Sequence, residues 1–258
     1  MRKFWVVGTA VMLVLSLAAI AIAQGVTNEY AVEGSTSPAK PGTKKKPIPI
    51  SVNFDYTVTA NNNQRPVPVE KYSIQFSGLL VNTAVPGSCS TETLEQEGLA
   101  GCPAKSIVGT GYIENATGQT SVPTDKSVQC NAKVSVVNEH PNKANLYVAG
   151  SPNATDEREK CAIELAAPIP ANYVRTRGGT NLEFEVPESL RHPGTPNLSN
   201  AVERVQSRIR RITKRIRGKR VGHYSAAGGC RNGTRTITVV FTPETGPVGR
   251  AQDKAPCR

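Results

Sequence analysis

Ile50-Ser51-Val52-Asn53-Phe54-Asp55-Tyr56-Thr57-Val58 alternates between apolar or aromatic residues and polar ones without a break. A period of two sends successive side chains to opposite faces, so this stretch predicts a half-buried β-strand. Lys71-Tyr72-Ser73-Ile74-Gln75-Phe76 repeats the pattern, with a turn-forming Asn61-Asn62-Asn63-Gln64-Arg65-Pro66 between the two. Further strand candidates are Ile107–Ile113, Ser127–Val137, Ala144–Val148, Ala162–Ile169, Asn181–Val186 and Arg235–Phe241, and Gly178-Gly179 marks a turn. Glu92 to Leu99 has room for one or two helical turns between two cysteines. Short β-branched and aromatic runs punctuated by Gly, Pro and Asn predict an all-β fold. No alternation of strands with amphipathic helices points to a doubly wound sheet. The expected fold is a disulfide-stapled β-sandwich, Ig-like or jelly-roll-like. It would occupy residues 50–258, as one large domain or as two small sandwiches dividing near 150.

Outward from this core, the amino-terminal 23 residues read as an export address. Met1-Arg2-Lys3 is a basic start, residues 4–20 are almost wholly apolar, and Ala21-Ile22-Ala23 is a small-x-small cleavage site before Gln24. These are the parts of a secretory signal peptide. The rival is a retained anchor helix, because the apolar run approaches the roughly 18–20 residues that span a bilayer. With cleavage, no transmembrane segment remains and the protein is secreted or held at the cell surface. Residues 24–49 are expected to form a flexible linker. The portion from Gly34 to Pro49 (GSTSPAKPGTKKKPIP) has almost nothing to bury. Its Lys44-Lys45-Lys46 is either a solvated tether or a basic patch touching the cell wall.

Export gives the cysteines their meaning. Six are present: Cys89, Cys102, Cys130, Cys161, Cys230 and Cys257. An even number in an exported chain reads as disulfides, with fifteen connectivities open in principle. Pairing in sequence order (Cys89–Cys102, Cys130–Cys161, Cys230–Cys257) is favoured. It closes loops of about 13 to 31 residues, each worth on the order of 3 kcal/mol in the chain-entropy picture. Metal ligation finds no C-x-x-C and no cysteine–histidine cluster to support it, so no metal and no cofactor are implied.

One segment reads two ways. Val202, Val205, Ile209, Ile212 and Ile216 recur at helical spacing, with Asn200 and Glu203 placed as a capping box and Gly218 as the terminating residue. Every one of these apolar residues is β-branched, which favours a pleated surface, although a strand would need a bulge near Arg210-Arg211. The alternatives are one basic amphipathic helix or a charged hairpin at 202–217.

The same stretch concentrates the charge. Arg204, Arg208, Arg210, Arg211, Lys214, Arg215, Arg217, Lys219 and Arg220 are offset only by Glu203, giving +8 from residue 203 to residue 220. The whole chain carries +11, of which Arg2 and Lys3 would leave with the signal peptide. The remainder of the mature protein is therefore nearly neutral. Charge this localised makes an anion-attracting patch, and guanidinium forks suit phosphate and carboxylate. The plainer reading is a solvated edge strand blunted by charge against aggregation.

Leu80-Val81-Asn82-Thr83, then Cys89, then Gly101-Cys102-Pro103-Ala104-Lys105-Ser106-Ile107-Val108-Gly109-Thr110-Gly111 form a C…CP-x-x-S-x-V-G-x-G pattern following a strand. In this the chain resembles exported β-rich proteins of high-GC Gram-positive bacteria (actinobacteria). Val186-Pro187-Glu188-Ser189-Leu190-Arg191-His192-Pro193 and Gly228-Gly229-Cys230 are similar to the later part of such proteins. The resemblance implies a β-rich fold and tilts residues 202–216 toward a charged hairpin. It supplies no catalytic residue and no ligand.

Motifs for chemistry are sparse. His140 and His192 each precede proline and read as loop residues; no H-E-x-x-H, H-x-H or G-x-S-x-G occurs. Asp156, Glu157 and Glu159 sit among Arg158 and Lys160 as a solvated loop, and Gly109-Thr110-Gly111 reads as strand glycines rather than a dinucleotide loop. The N-x-S/T triplets at Asn115, Asn153, Asn197 and Asn232 mark expected surface turns. The basic run lacks interleaved aromatics, so specific nucleic-acid binding is not implied. The expected function is a non-catalytic binding or structural module of the cell envelope or exterior, contacting an anionic wall polymer or lipid surface. The alternative is a secreted hydrolase of polysaccharide or ester substrates whose site is assembled from residues distant in sequence.

Overall fold

The computed structural model describes residues 26–194 and 197–258. The signal-peptide reading of residues 1–23 lies outside them. The first strands are β1 (Asn28–Ser37), β2 (Ile48–Pro49), β3 (Ser51–Ala60), β4 (Val69–Ser77) and β5 (Leu79–Val81). The helix α1 (Thr91–Glu97) precedes β6 (Ile107–Gln119), β7 (Ala132–Glu139), β8 (Lys143–Gly150), β9 (Leu165–Thr176) and β10 (Gly179–Glu185). A one-turn helix α2 (Glu188–Arg191) leads into β11 (Leu198–Ile209), β12 (Thr213–Ile216), β13 (Lys219–Gly222) and β14 (Tyr224–Ala226). The last strands are β15 (Cys230–Arg231), β16 (Thr234–Pro243) and β17 (Gly249–Pro256).

The fold is all-β. Twelve strands form one antiparallel sheet in the order β1-β3-β11-β6-β7-β8-β9-β10-β4-β16-β15, with β17 on the other side of β16. The layers are thus parts of a single sheet that curls on itself. β8 and β9 pair from Lys143↔Asn172 to Gly150↔Leu165, so the sheet runs straight through the division expected near 150. β17 comes to lie against β1. Side chains seal that seam: the Gly34 N–H donates to Asp253 at 3.0 Å, and Tyr30 stacks on Phe241 with centroids 4.3 Å apart.

Alternation decides which face is inside. Val52, Phe54, Tyr56 and Val58 on β3 are buried, as are Tyr72, Ile74 and Phe76 on β4 and Ile237, Val239 and Phe241 on β16. Together they form the core. Asn53, Thr57 and Lys71 face outward. A polar outside around an apolar inside is the reverse of a membrane barrel, whose apolar residues face lipid. Among the described residues no helix is long and apolar enough to cross a membrane.

Small elements close the ends. α1 is capped by the Ser90 hydroxyl, which accepts from the Thr93 N–H at 3.1 Å. Its Leu94 packs on Val137 and Tyr147 of the outer face. The three-stranded sheet β2-β14-β5 lies where β3 begins and β4 ends, and α2 lies where β4 begins and β11 starts. The disulfides join Cys89–Cys102, Cys130–Cys161 and Cys230–Cys257.

Two sequence expectations are corrected here. Part of the stretch read as a flexible linker is β1, which pairs with β3 along its full length from Asn28↔Ala60 to Ser37↔Ser51. Its inward residues Tyr30, Val32, Gly34 and Thr36 do alternate with mostly polar ones, but Gly34 interrupts the pattern and the Gly-, Pro- and Lys-rich stretch that follows dominates the composition. Residues 202–217 are neither a helix nor one hairpin. Val202 to Ile209 complete the central strand β11, held between β3 and β6, and the hairpin is β12–β13, set later in the chain. A register shift between Val202 and Arg204, against β6, supplies the bulge that lets the apolar face switch, upstream of Arg210-Arg211. Gly218 ends no helix. With Arg217 it forms the two-residue turn of the hairpin, at φ values of 76° and 50°, as a type I′ turn requires.

Candidate functional site

The hairpin β12–β13 stands apart from the large sheet. Its register is Thr213↔Gly222, Lys214↔Val221, Arg215↔Arg220 and Ile216↔Lys219. Lys214, Arg215, Arg217, Lys219 and Arg220 are all exposed. Arg208, Arg210 and Arg211 are exposed at the end of β11 and just beyond it. Arg210 donates to the Ile107 carbonyl, which fixes its base against β6. Among the described residues no carboxylate forms an ion pair with any of these eight.

Arg204 is the exception within the basic run. It is half-buried, and its Nη2 lies 2.6 Å from Asp55 Oδ2 with Nε 3.2 Å from Oδ1. Gln206 adds a third bond to Asp55 at 3.0 Å. Desolvation works to raise the Asp55 carboxyl, but these donors outweigh it and hold it below its ordinary value. Arg204 is therefore a strut between β11 and β3 and not part of an open anion patch. Lys44, Lys45 and Lys46 lie exposed in the turn before β2, and β2 packs beside β13. They extend the basic end of the barrel.

The inside of the barrel holds a second feature that the sequence did not signal. An apolar cavity of about 130 Å³ runs within the curled sheet. Leu79, Ile209 and Tyr224 line it toward the hairpin end, and Val186, Leu190 and Asn200 toward the α2 end. Its middle is walled by residues such as Val136, Leu146, Ile169 and Leu182. Asn115, expected in a surface turn, instead faces inward from β6 and lines this cavity, with its amide donating to the Cys130 carbonyl at 2.5 Å. The signal was available only as alternation across strands whose pairing the sequence did not reveal.

Two polar arrangements flank the cavity. At the α2 end, His192 Nδ1 bonds the Leu198 carbonyl at 3.0 Å and Nε2 meets Glu244 Oε1 at 2.9 Å. Arg191 pairs with the same carboxylate and donates to the Val186 carbonyl at 3.0 Å. Both ring nitrogens of His192 are thus occupied in holding α2 to the sheet. His140 Nδ1 is likewise engaged, with the Thr83 hydroxyl at 2.9 Å. At the hairpin end, the Tyr173 and Tyr224 hydroxyls bond each other at 3.0 Å in a buried setting. His223, fully buried beside them, bonds the Asn82 carbonyl through Nδ1 at 3.2 Å, and its Nε2 has no partner among the described residues.

On the outer face a polar trough crosses β1, β3, β11 and β6, lined by Glu33, Asn53, Asp55, Thr110, Tyr112 and Arg208. Gly111 borders it because β11 passes too close for a side chain: a Cβ there would collide with the Gln206 carbonyl oxygen. The ring of Tyr112 there is covered by the Arg158 guanidinium, 4.0 Å from the ring centre. Among the described residues no three of His, Cys, Asp and Glu gather into a group that could hold a metal. Comparison of the chain with family models, with curated proteins and with solved structures finds no match in any of the three.

Proposed function

We propose that the protein is a non-catalytic, exported binding module that docks on anionic polymer or lipid surfaces of the cell envelope through the β12–β13 hairpin. The observation that carries this reading is the exposed cluster of Lys214, Arg215, Arg217, Lys219 and Arg220, set on a projecting ribbon with no acidic partner among the described residues. A two-stranded ribbon is marginally stable alone, and like charges directly opposite weaken it further. An anion laid across the ribbon removes that repulsion. Three disulfides fit an oxidising compartment outside the cytoplasm.

Binding of this kind is charge neutralisation with counterion release, so it is strong in dilute buffer and falls steeply with salt. The test is elution from an anionic matrix across a salt gradient, comparing wild type with a variant carrying Gln at 214, 215, 217, 219 and 220. All five side chains are exposed, so the variant should keep its melting temperature. Elution of the variant at clearly lower salt is expected; co-elution with wild type would overturn the reading.

A further inference from the structure

We propose that the barrel interior is a binding site for an uncharged, elongated apolar molecule that carries one hydroxyl or carbonyl oxygen. The space is real on the scale of small ligands. A buried water needs roughly 10–15 Å³ of such volume, so about 130 Å³ corresponds to about ten waters, or about 300 Å³ of liquid. That is the lower end of ordinary ligand pockets and suits roughly 10–15 non-hydrogen atoms. The walls are almost entirely hydrocarbon, a setting that water fills poorly and apolar ligands fill well.

Shape follows from the strands. Lining residues on β11 run from Asn200 to Ile209. Nine steps of strand are about 30 Å, or about 20 Å along the axis after the tilt that a closed sheet imposes. A small volume drawn out over that length is narrow, which favours a chain over a fused ring system.

Polarity follows from Tyr72. Its side chain lines the cavity, stacked on Phe184 at 4.9 Å; its buried hydroxyl accepts from the Tyr56 hydroxyl, while its own proton meets no acceptor among the described residues. Native interiors seldom leave such a group unmade. A ligand oxygen at that depth would complete it. A carboxylate would not be served equally well, because the one guanidinium in the wall, Arg191, is already paired with Glu244.

The test uses all-trans-2,4,6,8-decatetraene, an uncharged linear fluorophore of ten carbons that brightens in apolar sites, and its displacement by 1-decanol. Wild type should brighten the probe, and 1-decanol should displace it more effectively than decanoate. Tyr72→Phe should weaken 1-decanol binding about 2- to 12-fold, the worth of one hydrogen bond, with little change for the probe. Val136→Phe should abolish both signals by filling the cavity. Should Val136→Phe not fold, Ser207→Phe, two strands away on β11, serves instead, with thermal melting as the check of folding. Absence of brightening in wild type, or undiminished binding in a folded cavity-filled variant, overturns the proposal. The five-fold hairpin variant should bind 1-decanol as wild type does, so failure of the envelope-docking reading and failure of this one are separable.

Discussion

Arg215 lies directly opposite Arg220 across the β12–β13 ladder, with no acidic residue between them. Two guanidinium groups in this relation cost stability, of the order of 0.2–1 kcal/mol for a cross-strand pair. The hairpin keeps them, and among the described residues no carboxylate forms an ion pair with either.

Arg215→Glu turns this repulsion into an opposite-charge pair. The expected outcome is a variant at least as stable as wild type that binds anionic matrices less well. Thermal melting and salt-gradient elution, read together, check it. Lower stability with unchanged elution would show that Arg215 is structural.

His223 gives the protein an acid-sensitive stability. Burial drives its pKa down to about 4, while the bond to the Asn82 carbonyl works in the opposite direction. The unfolded chain takes up this proton near pH 6.5, the folded one only near 4. Stability is therefore full above about pH 6.5 and is lost as pH falls toward 4, by about 3 kcal/mol. Asp125 and Asp156, both held at about 2, act in a lower window, below their ordinary values. Urea titrations at pH 7 and pH 4.5 should show a smaller loss for His223→Gln than for wild type; equal losses would remove His223 as the cause.

Arg235 is a buried cation without a carboxylate. It is 1% exposed, and its Nη2 donates to the Pro41 and Gly228 carbonyls at 3.2 and 3.3 Å. Its Nε and Nη1 have no partner among the described residues. Since an unpaired buried charge is costly, Arg235→Met should be neutral or stabilising by up to about 2 kcal/mol in denaturant titration. A clear loss would mean that the two carbonyl contacts outweigh the buried charge.

Cys230–Cys257 ties β15 to the end of β17 across 27 residues. Replacing both by Ser should lower stability by about 3–4 kcal/mol under oxidising conditions, with no effect in strong reductant. Denaturant midpoints with and without reductant distinguish the two.

The strands that were legible are those whose buried face is β-branched or aromatic without interruption, which Gly34 denies to β1. Val52 to Val58 and Tyr72 to Phe76 announce themselves, as do Ile237 to Phe241. β17 does not, because its inward residues are Ala251 and Ala255, which fit a crowded seam but carry no strand propensity. The basic run was legible as charge and misleading as structure. Ile209 belongs to the core and Ile216 to the ribbon, and nothing in a helical spacing of five β-branched residues separates those roles. The cavity was illegible for another reason. It is the space left between strands as distant as β3 and β9, and only their three-dimensional pairing creates it.

The seam between β1 and β17 has a bearing on how the molecule assembles. Its bond between Gly34 and Asp253 spans 219 residues, a longer separation than that of any paired strands among the described residues, where Ile48 and Ala226 lie furthest apart. The entropy of closing so long a loop must be met before the contact gives anything back, and no shared backbone ladder guides the approach. The chain can pair its strands from β3 to β16 as an open, curved sheet before β17 meets β1. Pulse-labelling hydrogen exchange should find the β1 amides that face β17 protected later than those bonded to β3. Until then the apolar interior is open along one side, so a ligand of the kind proposed above would have a way in that uses neither end of the barrel.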